Sequence, residues 1–193
     1  LQASPSLTSC ICVPGTTGED GTACDQCVPG TYKVLNGSAS CTECLQGQYS
    51  PLFGAVSDVC IQCTTNSDSS IGSGEQTDCV CNAGATGPDG GECHLCSVGK
   101  YKYTSGSNPC TSCLQGTYSG YIGAISDTCQ ECPKNSNSPM ESDKLTDCIC
   151  NAGATGDDGT VCSLCTAGKF KVATGSEQCT SCLPGQYSTT EGE

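Results

Sequence analysis

The chain has 193 residues, no Trp, two Phe, one Met and a net charge of −13 at pH 7. Leu, Ile, Val and Phe together make about 14% of it, so an ordinary apolar core is excluded and the charge alone would describe a disordered chain. Every basic residue is Lys and none is Arg, which speaks against the clustered cationic surfaces that bind nucleic acid or heparin.

The 22 cysteines reverse the disordered reading. At that density covalent cross-links replace missing apolar burial, since closing a loop of about 15 residues contributes roughly 3 kcal/mol through the unfolded state. Such a scaffold matures in an oxidising compartment, so the expected location is secreted or cell-surface. The sequence opens on Leu1 with no leader-like segment in view, and no apolar run approaches the roughly 18 residues of a membrane span.

In chain order, residues 1–9 read as the tail of a preceding repeat, because Leu7-Thr8-Ser9 before Cys10 matches Leu145-Thr146-Asp147 before Cys148. From there the cysteines fall in pairs of constant period. Cys10, Cys79 and Cys148 stand 69 residues apart, as do Cys12, Cys81 and Cys150, then Cys24, Cys93 and Cys162, and Cys41, Cys110 and Cys179. Residues 10–78, 79–147 and an incomplete 148–193 are therefore three repeats of one cysteine-rich unit, and 27 of 46 positions are identical between 79–124 and 148–193. The last residues, Gly192-Glu193, fall in mid-loop, so the expected ends of the array are open.

Each complete repeat contains one C-x-C pair and three C-x-x-C pairs. Cys27, Cys44, Cys96, Cys113, Cys165 and Cys182 are followed by a glycine (Gly30, Gly47, Gly99, Gly116, Gly168, Gly185) and then an aromatic (Tyr32, Tyr49, Tyr101, Tyr118, Phe170, Tyr187). Glycine there suits a turn with positive φ, and the ring is expected to cover the adjacent disulfide as a local mini-core. Gly18-Glu19-Asp20-Gly21, Gly87-Pro88-Asp89-Gly90 and Gly156-Asp157-Asp158-Gly159 predict hairpin turns. With no helical period anywhere, the expected fold is small and disulfide-rich: an elongated tandem-repeat rod of short β-hairpins, with little or no helix and no large hydrophobic core.

The run Cys132-Pro133-Lys134-Asn135-Ser136-Asn137-Ser138, continuing to Cys148, Cys150 and Gly153, resembles the cysteine-rich ectodomain module of ephrin receptors. The segments at 27–33 and 182–188 look like the related C-P-x-G-T-Y-S repeat, distantly similar to tumour-necrosis-factor-receptor and EGF-like modules. The resemblance covers essentially the whole chain and implies a stalk, spacer or self-association surface.

Two disulfide schemes stay open. A ladder would pair Cys12–Cys24, Cys27–Cys41, Cys44–Cys60, Cys63–Cys79, Cys81–Cys93, Cys96–Cys110, Cys113–Cys129, Cys132–Cys148, Cys150–Cys162 and Cys165–Cys179, leaving Cys10 and Cys182 over. An interlocked scheme, such as Cys60–Cys79 with Cys63–Cys81, would leave Cys10 and Cys12 instead.

C-x-C and C-x-x-C are also zinc spacings, but the chain has a single histidine, His94, which does not recur at Asp25 or Ser163. Asp20, Asp89 and Asp158 offer one carboxylate per turn where calcium needs six to eight oxygens. No metal, no other cofactor and no catalytic nucleophile-and-base set is expected, so the chain does not read as an enzyme. Asn36-Gly37-Ser38 is the only N-glycosylation sequon, and Thr16-Thr17, Thr64-Thr65 and Thr189-Thr190 are candidate O-glycan carriers.

Two functions follow from these readings. One is an extracellular structural protein, a subunit of a filament, appendage or matrix that self-associates head to tail. The other is the stalk or ligand-binding ectodomain of a receptor or adhesin, for which Lys100-Tyr101-Lys102-Tyr103 with Tyr121 is the candidate surface patch.

Overall fold

A computed structural model describes residues 10–192 of the chain. The tail proposed for residues 1–9, and Glu193, lie outside the described residues. The backbone divides into two compact units, one running through His94 with Ser105–Asn108, the other comprising Leu95–Thr104 and the chain from Pro109.

The first unit is a series of antiparallel hairpins: β1 (Thr16–Thr17) with β2 (Asp25–Gln26), β3 (Thr31–Tyr32) with β4 (Thr42–Glu43), β5 (Gln48–Tyr49) with β6 (Ile61–Gln62), and β7 (Ser67–Asp68) with β8 (Val80–Cys81). β9 (Ala85–Thr86) and β10 (His94–Leu95) form another two-stranded sheet. The second unit continues with β11 (Lys100–Tyr101) and β12 (Thr111–Ser112), β13 (Thr117–Tyr118) and β14 (Gln130–Glu131), and β15 (Ser136–Asn137) and β16 (Ile149–Cys150). It closes with β17 (Ala154–Thr155) and β18 (Ser163–Leu164), then β19 (Lys169–Phe170) and β20 (Thr180–Ser181). Every strand is two residues long, and the helical content of the described residues is two three-residue 3-10 turns, Gln76–Asp78 and Leu145–Asp147. This is a disulfide-rich small-repeat fold.

One local device builds all the hairpins. The residue after each cystine pair opens a four-residue turn closed by a backbone bond, as in Thr16 N–H to Val13 O at 3.1 Å, Thr31 to Val28 at 3.1 Å and Thr117 to Leu114 at 3.1 Å. The third residue has positive φ, 81° at Gly30 and 72° at Gly99, which is type II geometry with proline or another residue preceding it. Glycine is needed at these two positions for a second reason. A Cβ on Gly30 would lie 2.0 Å from the Gly72 carbonyl oxygen, and one on Gly99 would lie 2.3 Å from that of Glu141. In two of the turns asparagine takes the same place: Asn66 (φ 62°) and Asn135 (φ 61°). Their side-chain amides donate to Cys93 O at 3.2 Å and Cys162 O at 2.8 Å, a bond glycine could not make.

The turn's remaining polar groups are spent on the next hairpin along the chain. Gly15 N–H donates to Lys33 O (2.8 Å), Gly30 to Ser50 O (2.8 Å), Gly47 to Ser69 O (3.0 Å), Gly99 to Ser119 O (2.7 Å) and Gly116 to Ser138 O (2.9 Å). In return the Gly15, Gly30, Gly47, Gly99 and Gly116 carbonyls accept from Cys27, Cys44, Cys63, Cys113 and Cys132 N–H. Isolated parallel bridges, Tyr32 with Ala55, Tyr49 with Ser73, Tyr101 with Ala124 and Tyr118 with Ser142, extend each hairpin edge to a later segment. A two-residue hairpin is unstable alone. Here each one is completed by its neighbours, the energetic logic of a repeat array.

The buried set is cystine, alanine, serine and lysine rather than aromatic. Cys81, Ala85 and Cys93 form one cluster, and Cys150, Ala154 and Cys162 form its counterpart 69 residues on. Of the six aromatics expected to form mini-cores, only Tyr101 is buried; Tyr32, Tyr49 and Tyr118 are half-buried, and Phe170 and Tyr187 are exposed.

Candidate functional site

The cysteines are joined as a ladder. The bonds are Cys12–Cys24, Cys27–Cys41, Cys44–Cys60, Cys63–Cys79, Cys81–Cys93, Cys96–Cys110, Cys113–Cys129, Cys132–Cys148, Cys150–Cys162 and Cys165–Cys179. Each closes 12 to 16 residues, in the sequence C-x-C module short, next module intermediate, last two long. Cys10 is exposed and Cys182 half-buried, and neither has a disulfide partner within the chain.

Three lysines are the charged part of this framework, two of them without a role in the sequence reading and the third, Lys102, expected there in a surface patch. Lys33, Lys102 and Lys171 stand 69 residues apart and are only 3–5% exposed. Lys33 Nζ donates to Thr16 O at 2.8 Å and to Gly37 O. Lys171 Nζ donates to Ala154 O at 2.6 Å and to Gly175 O. An ammonium offers three donors, so one side chain ties the turn-proximal strand of one hairpin to the loop of the next. The recurrence of lysine at this step, with glycine always four residues later, was the available signal.

The Asp-Gly turns serve the backbone. Gly21, Gly90 and Gly159 donate their amides to Cys10 O, Cys79 O and Cys148 O, while Asp20, Asp89 and Asp158 point to solvent. Among the described residues there is no group of three or more His, Cys, Asp or Glu that could hold a metal ion. His94 is exposed, with its imidazole 3.9 Å from Glu92. Asn36 is exposed on the connection between β3 and β4.

An open groove of about 1000 Å³ in the first unit is lined in part by Gln46, Asp68, Ser73, Thr77, Asp78 and Asn82. Its acids are already engaged. Gln46 donates to Asp68 at 2.6 Å, and Asp78 accepts the Gly74 and Glu75 amides at 2.9 Å. The same capping recurs at Asp147, where burial works against the charge but the Lys144 and Asp143 amides outweigh it and hold the carboxyl below its ordinary value.

The second unit holds the most distinctive cluster. The four-residue patch expected at the surface is split: Lys100 is half-buried, Tyr101 and Lys102 are buried, and Tyr103 is 59% exposed. Tyr121, at 60%, is exposed as well. The rings of Tyr101 and Tyr103 lie 5.1 Å apart at 52°, and their hydroxyl oxygens are in hydrogen-bond contact at 3.3 Å. That contact, then burial, then the Asp127 carboxylate push the Tyr101 phenol up to about 12. Beside it Lys100 Nζ meets Glu141 at 3.0 Å, and Ser112 Oγ donates to the same carboxylate at 2.7 Å. The Ser112 hydroxyl and then Lys100 hold Glu141 below the usual carboxylate range, although its backbone sits at φ 65°.

Repeated hairpins and a cystine ladder define a disulfide-rich repeat module. A family model described as tyrosine-protein kinase ephrin type A/B receptor-like matches residues 15–59 and 84–128, two segments themselves 69 residues apart. The chain carries tandem ephrin-receptor-like cysteine-rich repeats. No curated protein matches it significantly. Among the described residues no helix is long and apolar enough to cross a membrane.

Proposed function

We propose that this chain is a non-enzymatic extracellular structural array, a subunit of a filament, appendage or matrix that associates with further copies through its repeat ends. The observation that carries the reading is the relay of backbone bonds in which each turn donates to the next hairpin and its carbonyl is taken by the next cystine. Interactions of this kind pass only between neighbours, so a further module adds to the series without altering what is already built. Head-to-tail contacts of one surface with a different one do not close on themselves and generate fibres. The acidic balance keeps the sides of such assemblies apart.

The receptor or adhesin ectodomain is the second reading, favoured by the family match to ephrin-receptor-like repeats. In either role Asn36 carries an N-linked glycan on its exposed loop, and the repeats 10–78, 79–147 and 148–193 act as the units of length. Sedimentation and electron microscopy of the oxidised, purified chain over a wide concentration range test the first reading. Concentration-dependent assemblies with a regular repeat are expected. A monomer at every concentration, with capture of a different protein from the native surface, supports the second.

A further inference from the structure

The tyrosine pair of the second unit has no counterpart at the equivalent hairpins. Where this hairpin has Tyr101 and Tyr103, the position 69 residues earlier has Tyr32 and Val34, and the one 69 later has Phe170 and Val172. An aromatic thus stands at the first position in all three, whereas the second position is valine in two of them with the hairpin formed just as well. Tyr103 is 59% exposed and answers no packing need. What it adds is a second phenol whose ring centroid is 5.1 Å from the first and whose oxygen is 3.3 Å from the first oxygen.

We propose that Tyr101 and Tyr103 are a preorganised site for an oxidative cross-link, an intrachain dityrosine formed by extracellular peroxide and a haem peroxidase. The availability of that oxidant rests on the extracellular location argued above; the geometry does not. Tyr103 is the ring an oxidant can reach. It loses one electron, and its phenolic proton goes to solvent. The hole passes to Tyr101 across the hydroxyl contact, with Asp127 beside the Tyr101 hydroxyl to take its proton. A second oxidation at Tyr103 gives two adjacent phenoxyl radicals. They join through ring carbons ortho to the oxygens; each ring sheds its displaced hydrogen as a proton and each oxygen takes a proton back, which restores two phenols. Overall two phenols lose two electrons and two protons, and one peroxide is reduced to two waters. The bond ties the buried end of β11 to the residue that leads into the following loop. Held side by side before the reaction, the two rings need no encounter between chains.

The test treats the purified full chain, dilute and disulfide-intact, with horseradish-type haem peroxidase and hydrogen peroxide. Dityrosine fluorescence is expected in the monomer band. After reduction and trypsin, cleavage following Lys102 normally separates Tyr101-Lys102 from the peptide that begins at Tyr103. In the treated protein these two are expected to stay joined and to be two hydrogens lighter. Tyr103→Phe is expected to lose both signals, while Tyr121→Phe keeps them. Fluorescence that survives in Tyr103→Phe, cross-links confined to covalent oligomers through Tyr121 or Tyr187, or no dityrosine at all would overturn the proposal. Because Tyr103→Phe changes an exposed hydroxyl at a position that is valine elsewhere, its fold is checked by unchanged far-UV dichroism and is not expected to fail.

Discussion

The hairpins β3 to β6 of the first unit and β11 to β14 of the second are the same structure written twice, and their differences separate what the scaffold requires from what it tolerates. Cystines, positive-φ turns and a buried lysine recur in both. The polar details do not. Ser119 Oγ is paired with Thr128 Oγ1 at 2.6 Å, but 69 residues earlier valine stands at position 59 and the fully buried Ser50 Oγ has no partner. Likewise Gly72 (φ 75°) becomes Glu141 (φ 65°), and a Cβ built on Gly72 would lie 3.3 Å from Glu43 Oε1. A carboxylate is thus present at the same place in both hairpins, delivered by β4 in one and by the loop after β15 in the other. Backbone and cross-links are held constant, and side-chain chemistry is free to differ.

The largest effect should come from the shared framework and be equal in the two regions. Replacing Cys27 and Cys41, or Cys96 and Cys110, with alanine is expected to cost about 2–5 kcal/mol in either case. Native-state hydrogen exchange reads the loss region by region, which a single melting curve of a multi-unit chain does not. A cost confined to one of the two would break the equivalence. Next come the lysine ties. Lys33→Met and Lys171→Met each strand two carbonyls that were bonded to the ammonium, so a loss of about 1–3 kcal/mol is expected for both. Lys169→Met, on an exposed residue, should be near neutral by the same measurement.

The tolerated differences should then yield smaller effects of opposite sign. Val59→Thr gives Ser50 the partner that Ser119 has and is expected to stabilise the first region by about 1 kcal/mol; Thr128→Val should cost the second a similar amount. Equal and same-signed responses would remove the asymmetry. The smallest effect belongs to Glu141. Its carboxyl is depressed in the folded state, so its contribution is present above the ordinary glutamate range and is lost as pH falls through the folded value. Exchange protection around β11 and β12 should therefore weaken slightly on acidification, and Glu141→Gln should abolish that dependence.

Much of this was legible in the residues because the period of the cysteines is a direct image of the period of the fold. The missing apolar residues, the lack of helix and the hairpin character all follow from composition and from glycine placement. The turn itself was read too narrowly. Requiring an aromatic after glycine finds it after six cystine pairs, whereas the backbone repeats it where Asn66, Asn135 and Gly84 occupy the positive-φ place. The pairing of cysteines stayed open because both schemes close loops of similar length. Which cysteines meet depends on where each turn folds the chain back, a three-dimensional fact. The buried lysines were hidden by the expectation that lysine is a surface residue; only their 69-residue recurrence marked them. The surface patch around Tyr101 failed because Lys102 belongs to the buried-lysine series and Tyr101 is itself buried with Tyr103 against it, so only part of the run faces solvent.

The proposed assembly rests on the relay from hairpin to hairpin, and its most direct test is electron microscopy of the native material labelled with an antibody to this chain. The account predicts label on filaments or sheets at a regular axial interval, set by the repeat. Label on isolated, unassembled molecules, or a random distribution with no interval, would contradict it.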